Sequence, residues 1–274
     1  MTTIGFVGAG NMARALGGGL RAGFERDAGE TGTVRLLATD PDAGACERFR
    51  AETGGEPVAD FAALARAADT LVLAVKPQVM PAVLADLARV LEARHLVISI
   101  AAGIPLAALA RGLGSATRAV RAMPNTPALV RRGMTVLVPA ATATGADVAL
   151  AERIFRCVGD AVVVDDEGML DAVTAVSGSG PGFFFAYAEA MLRAGEAAGL
   201  PPETALRLVR QTLLGSAALW VESGEPVEKL RAMVTSPGGT TQAGLAALEA
   251  SGFAAAVGAA VAAATRRSRE LSGV

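Results

Sequence analysis

Near the start of the chain, Gly8-Ala9-Gly10-Asn11-Met12-Ala13 stands between an apolar run, Thr3–Val7, and a stretch with helical spacing of apolar positions, Asn11–Ala22. A glycine at position 8 permits a tight strand-to-helix turn. A glycine at position 10 lets a phosphate approach the backbone amides, and the small Ala13 lets helix and strand pack closely. The helix N-terminus adds partial positive charge. This is G-x-G-x-x-A, the alanine variant of the dinucleotide fingerprint, so Gly8, Ala9, Gly10, Asn11 and Met12 are expected to hold a cofactor pyrophosphate. A plain glycine turn is the competing reading, and the strand before it and amphipathic helix after it argue against that.

The pattern continues in the same style. Val34–Ala38, Thr70–Ala74 and Leu96–Ile100 are short, wholly apolar runs, as expected of parallel strands covered by helices on both faces. Helical spacing separates them at Ala43–Glu52, Pro81–Leu91 and Pro105–Leu113. Further strand-like runs follow at Arg118–Ala122, Thr135–Val138 and Ala161–Val164, with a helix at Asp147–Cys157. Strand–helix alternation predicts an α/β fold, a Rossmann-like doubly wound sheet over residues 1–164. Beyond it, Gly168–Val176, Gly182–Ala198, Pro202–Glu222, Pro226–Met233 and Thr241–Thr265 all read as helices or helix pairs. Residues 165–274 are therefore expected to form an all-helical second domain.

Composition removes several function classes. Of 274 residues, 52% are hydrophobic, yet no stretch approaches the roughly 20 apolar residues of a spanning helix. The N-terminus has no basic segment ahead of its apolar run, so a soluble, cytoplasmic protein is expected. A net charge of −2 lacks the basic footprint of a nucleic-acid binder. Cys46 and Cys157 have no metal-ligand spacing and read as thiols in a reducing compartment. The only histidine, His95, cannot by itself make a metal site or a catalytic triad, and a surface or helix C-cap role is expected for it. Trp220 and Tyr187 read as core or interface residues.

Asp40, after the second strand, admits two readings: a partner for the ribose hydroxyl of NAD, or a cap for the helix after Pro41. Arg35 and Arg48 lie near enough in sequence to offset its charge toward a 2′-phosphate, which leaves NADH and NADPH both open. Four more strings then converge: Ala74-Val75-Lys76-Pro77 at a strand end, Arg121-Ala122-Met123-Pro124-Asn125-Thr126-Pro127 after another, Ser177-Gly178-Ser179-Gly180-Pro181, and Ser236-Pro237-Gly238-Gly239-Thr240-Thr241. With the glycine fingerprint, in this order and spacing, the chain closely resembles the pyrroline-5-carboxylate reductases from end to end.

The resemblance implies NAD(P)H-dependent reduction of the cyclic imine 1-pyrroline-5-carboxylate to L-proline, the last step of proline biosynthesis. It implies a helical domain that forms dimers or larger homo-oligomers. It points to Thr241 as the hydroxyl near the ring nitrogen. One departure is that Asp60-Phe61 stands where the family often carries an asparagine at the adenosine end of the cofactor.

The residues accord with that chemistry. A small cyclic imine protonates readily near neutral pH, so hydride transfer to it needs no strong general acid, which fits a chain with one histidine. Glycine-rich turns before two helices would offer amides to the substrate carboxylate, through Ser177, Gly178, Ser179 and Gly180, and through Ser236, Gly238, Gly239 and Thr240. Thr240 or Thr241 also reads as an ordinary N-cap, and both strings as mere linkers. Ala74, Val75, Lys76 and Pro77, with Met123, Pro124 and Asn125, lie past strand C-termini, where open α/β sheets bind ligands.

Two rivals keep the fold. A small hydroxy-acid dehydrogenase would need a lysine acid/base in the helical half, where only Lys229 is available. The other rival is a nucleotide-binding regulator without catalysis.

Overall fold

A computed structural model describes residues 2–26 and 33–273. β1 (Thr2–Val7), buried from Ile4 to Val7, pairs in parallel with β2 (Val34–Thr39) on one side and β4 (Thr70–Leu73) on the other. The sheet order is β3-β2-β1-β4-β5-β6-β7-β8, with β3 (Glu56–Pro57), β5 (Leu96–Ser99) and β6 (Arg118–Met123) parallel to the rest. β7 (Gly133–Pro139) runs antiparallel to β6, and β8 (Gly159–Val163) pairs in parallel with β7. The chain order reverses at β1, between β2 and β4, which opens a crevice at the strand C-termini.

Both faces of the sheet are buried, as the continuous apolar runs require. Ile4, Phe6, Val72, Ile98 and Val120 join one core with Leu16, Leu20 and Phe24 of α1 (Asn11–Arg26), Phe49 of α2 (Ala43–Thr53) and Phe155 of α6 (Gly145–Arg156). Val7, Leu37, Leu71, Leu73 and Val97 face the opposite core, formed by Leu64 of α3 (Phe61–Ala67), Leu84 of α4 (Met80–Leu87) and Leu109 of α5 (Leu106–Leu113). Completely burying one Leu or Phe side chain stabilises by about 1.5–3 kcal/mol, so this two-sided burial carries the domain.

The helical half departs from the expected boundary. The chain packs into two units: one runs to Ser179 and also includes residues from Ala264 onward, and the other is Gly180–Ala263. The reason is apolar: Leu170 of α7 (Leu170–Val173) is buried with Val136 and Val138 of β7. Ser268 Oγ also donates to Asp171 Oδ1 at 2.6 Å. Strand–helix alternation ends near residue 164, but packing against the sheet does not.

The second unit contains α8 (Gly180–Ala197), α9 (Pro202–Ser223), α10 (Val227–Met233), α11 (Thr240–Ala250) and most of α12 (Phe253–Ser272). Its helices leave Phe185, Leu214, Trp220, Val221 and Met233 more than half exposed. Trp220 and Tyr187 therefore lie outside the core of the single chain. Among the described residues, no single helix is long and apolar enough to cross a membrane.

His95 corrects the surface reading. It is 2% exposed; its Nδ1 accepts the Glu92 amide at 2.7 Å, and its Nε2 lies 2.8 Å from the Ala65 carbonyl. With Nδ1 accepting, Nε2–H donates, and the ring pins the loop before β5 to α3.

Candidate active site

The fingerprint turn is built as its glycines require. Gly8 has φ +97°, and a Cβ there would sit 2.7 Å from the Ala74 carbonyl oxygen. Gly10 is exposed with nothing within 4 Å of a would-be Cβ, so its backbone is open to a ligand. The first helical bond, Arg14 amide to Gly10 carbonyl at 3.0 Å, starts α1 there. Ala9, by contrast, is fully buried, its methyl packed in the core and its amide turned to Asp40.

A cleft of about 470 Å³ lies at the C-terminal edge of the sheet. It gathers Gly10, Asn11 and Met12 from the fingerprint, Ala74, Val75, Lys76 and Pro77 after β4, and Met123 and Pro124 after β6. Three segments distant in sequence thus meet in one place. Ile100, Ala101 and Ala102 also line it, though the sequence reading did not single them out. The signal was available: they follow β5, which pairs in parallel with β4 and so ends on the same edge. These walls fit a dinucleotide, because an unobstructed backbone at Gly10, a helix N-terminus and a single exposed lysine, Lys76, share one opening.

Asp40 is not the helix cap. Asp42 takes that position: its Oδ1 accepts the Gly44 amide at 2.8 Å, and the Gly44 and Ala45 amides, aided by Arg48, hold its carboxyl below the ordinary range. Asp40 instead reaches into the fingerprint, where Oδ2 accepts the Ala9 amide at 2.8 Å and Oδ1 accepts the Asp42 amide at 2.9 Å. Asp60, the other carboxylate at this edge, caps α3 by accepting the Ala63 amide at 2.7 Å.

Asn125 does not line the cleft. Its Nδ2 donates to the Ser177 carbonyl at 3.1 Å and Ser177 Oγ at 3.2 Å, while its Oδ1 accepts the Met134 amide at 2.9 Å. The side chain therefore fastens the loop after β6 to the Ser177-Gly178 string. A Cβ on Gly178 would lie 2.8 Å from Met123 Cε, so a larger residue there would push the Met123 side chain aside.

Arg121, buried in β6, donates to Glu167 Oε1 at 2.6 Å, and the same oxygen accepts the Leu106 amide at 2.8 Å. The acidic run Asp165-Asp166-Glu167 thus supplies an ion pair as well as a helix start. Asp166 caps the 3-10 turn Glu167–Met169 through the Gly168 amide at 2.8 Å.

Ser177-Gly178-Ser179-Gly180 is not the open turn expected of it. Thr174–Gly178 forms a π-helical turn closed by the Ser179 amide on the Thr174 carbonyl at 2.8 Å, leading into α8 at Gly180. The Ser179 amide is therefore engaged. Single π-turns of this sort recur at functional sites.

In the second unit, Gly239 rather than a threonine occupies the N-cap of α11, with Thr240 and Thr241 as the first two helical residues, both exposed. Gly238, at φ +70°, donates its amide to Gln242 Oε1 at 2.7 Å, and the Gly239 amide donates to the Ser236 carbonyl at 3.0 Å. The turn is thereby held by its own bonds, while the Thr241 hydroxyl has no hydrogen-bond partner among the described residues. Lys229, the lysine a hydroxy-acid dehydrogenase would need, pairs on the surface with Glu225 at 2.7 Å.

Comparison with known proteins agrees with this geometry. Residues 167–271 match the family described as "Pyrroline-5-carboxylate reductase dimerisation", and residues 3–103 match "NADP oxidoreductase coenzyme F420-dependent". The pyrroline-5-carboxylate reductase of Pseudomonas aeruginosa is 45% identical over 98% of this chain and 96% of its own length. That of Escherichia coli is 40% identical over 98% of both. Among solved structures, a pyrroline-5-carboxylate reductase from Coxiella burnetii superposes with a TM-score of 0.89 at 37% identity, covering 99% of this chain and 98% of its own. A Plasmodium falciparum pyrroline carboxylate reductase with NADP bound gives 0.84 at 31% identity, with 99% and 98% covered. With its fingerprint cleft, its helical half and its whole length so matched, the chain belongs to the pyrroline-5-carboxylate reductase family.

Proposed function

We propose that the chain reduces 1-pyrroline-5-carboxylate to L-proline with NAD(P)H, the last step of proline biosynthesis. The observation that carries this reading is the cleft, where the fingerprint, the Ala74–Pro77 string and the Met123-Pro124 loop meet in a chain related to these reductases along its full length. When bound, the cofactor supplies a hydride to the imine carbon, and a proton on the ring nitrogen completes the amine.

The chain's own contribution is positioning. The Gly10 amide region and the N-terminus of α1 hold the pyrophosphate, and Lys76 and Pro77 with Met123 and Pro124 wall the nicotinamide end. Ser177, Gly178, Ser179 and Gly180 shape one side of the substrate site, with Asn125 fixing their position. Ser236 and Thr240 bind the substrate carboxylate, while Gly238 and Gly239, whose amides are spent on Gln242 Oε1 and the Ser236 carbonyl, shape the turn that presents them. Thr241 orients the imine nitrogen or relays its proton. Its support is chemical: an exposed hydroxyl at the second position of α11, beside amides not yet committed within the first helical turn.

The region of dimerisation type, residues 167–271, leaves large apolar side chains exposed in one chain. A homo-oligomer formed through the helical half, acting in the cytoplasm, is the state this supports.

The test is direct: purified protein should oxidise NADH or NADPH when given pyrroline-5-carboxylate. No turnover with either nucleotide, under conditions that support another reductase of this family, would sink the proposal.

A further inference from the structure

The corner of the sheet where β1, β2 and β3 end decides which nucleotide the cleft accepts. Asp40 is locked there by the two amides described above. Its carboxylate therefore cannot swing away from whatever occupies the turn after β2, which is where the adenosine ribose of a dinucleotide lies in folds of this topology. A carboxylate at this place accepts from a ribose 2′-hydroxyl and repels a 2′-phosphate.

Counter-charge is scarce around it. Arg35, one residue into β2, is held by Glu56 of β3 through two bonds of 3.0 and 2.6 Å. Arg48 pairs with Asp42 at 3.3 Å, Arg14 with Glu52 at 2.9 Å and Arg50 with Glu47 at 2.9 Å. Exposed pairs of this kind break easily, but breaking one yields no net positive charge. If Arg48 turned to a 2′-phosphate, the phosphate would stand beside Asp40 and a newly unpaired Asp42. The sequence left this question open by counting Arg35 and Arg48 as available; in the folded chain each is matched by a carboxylate.

We infer that this chain binds NADH in preference to NADPH, with Asp40 as the specificity-determining residue. The inference rests on the nucleotide reading of the cleft given above, and the experiment separates the two. Dissociation constants for NADH and NADPH are measured by nucleotide fluorescence on the full-length protein, without substrate, for the wild type and for Asp40→Asn. Asparagine retains one acceptor oxygen for the turn and removes the charge. The wild type is expected to bind NADH about tenfold or more tightly than NADPH, the scale of one charged contact of roughly 1.4 kcal/mol.

Asp40→Asn is expected to close most of that gap, chiefly by tightening NADPH. The wild-type ratio is the primary readout, so the inference stays testable even if the variant folds poorly. NADPH bound as tightly as NADH, or more tightly, overturns the inference and leaves the reductase reading standing. A wild-type preference for NADH that Asp40→Asn leaves unchanged, in a variant with wild-type circular dichroism, overturns the role of Asp40. Binding of neither nucleotide overturns the cofactor reading and this inference with it.

Discussion

The side-chain amide of Asn125 spans two loops far apart in sequence, donating to both the carbonyl and the hydroxyl of Ser177, while its oxygen accepts the Met134 amide. One residue thus ties the loop after β6 both to the start of β7 and to the π-turn. Asn125→Ala would leave the Ser177 carbonyl and the Met134 amide unpaired in a half-buried setting, at a cost of about 1–3 kcal/mol. Ser177→Ala removes only one of the two Nδ2 contacts and should cost less. Urea unfolding of the two variants checks the ranking; equal losses would show that the bonds to the Ser177 carbonyl and the Met134 amide carry no weight.

Substitutions at the two fingerprint glycines should separate folding from nucleotide binding. Gly8→Ala forces φ +97° on alanine and drives its Cβ to 2.7 Å from the Ala74 carbonyl, so stability should fall by on the order of 1–3 kcal/mol. Gly10→Ala meets nothing within 4 Å. Its melting temperature should stay near wild type while affinity for either nucleotide drops, since the added methyl stands where a phosphate must approach.

Thr241→Ala tests the proposed catalytic hydroxyl. The residue is exposed, so unfolding free energy should change by less than about 0.5 kcal/mol. Turnover should fall sharply while nucleotide affinity holds. Parallel losses of turnover and nucleotide affinity would assign the residue to cofactor binding instead.

Glu167 is the charge partner of buried Arg121, and its Oε1 also accepts the Leu106 amide. Glu167→Gln keeps an acceptor for Leu106 but strands the guanidinium. Breaking a buried pair from one side costs about 3–5 kcal/mol, and the partial exposure of Glu167 puts the expectation at or below the lower end. Chemical denaturation measures it directly.

Acid should loosen α2 once pH falls below the ordinary carboxylate range. The Gly44 and Ala45 amides hold the Asp42 carboxyl below its usual 3.8, so its contribution is complete above that value and is lost as pH falls through the lowered one. Asp42→Ala removes that contribution at neutral pH, and the stability of the variant should then vary less than that of the wild type through the acid range. An unchanged acid limb in a pH series of thermal melts would contradict the capping role.

The strand–helix order, the fingerprint turn and the strings that line the cleft were legible in the linear sequence, because each rests on local physics. Apolar runs of strand length demand burial on both faces, glycine alone tolerates the Gly8 backbone, and residues just past parallel strands must fall on one edge. What side chains do across the fold was not legible. Asp40 read equally well as a cap or a ribose partner until Asp42 took the cap and the Ala9 amide took Asp40. Asn125 read as a cofactor contact, and His95 as a surface or helix C-cap residue, until Ser177 and Ala65 were brought to them across spans of 52 and 30 residues. A hydrogen bond between distant residues leaves no periodic trace in a sequence. The antiparallel turn of β7 and the docking of Leu170 beneath it likewise depend on the three-dimensional surface left uncovered once the parallel strands had assembled.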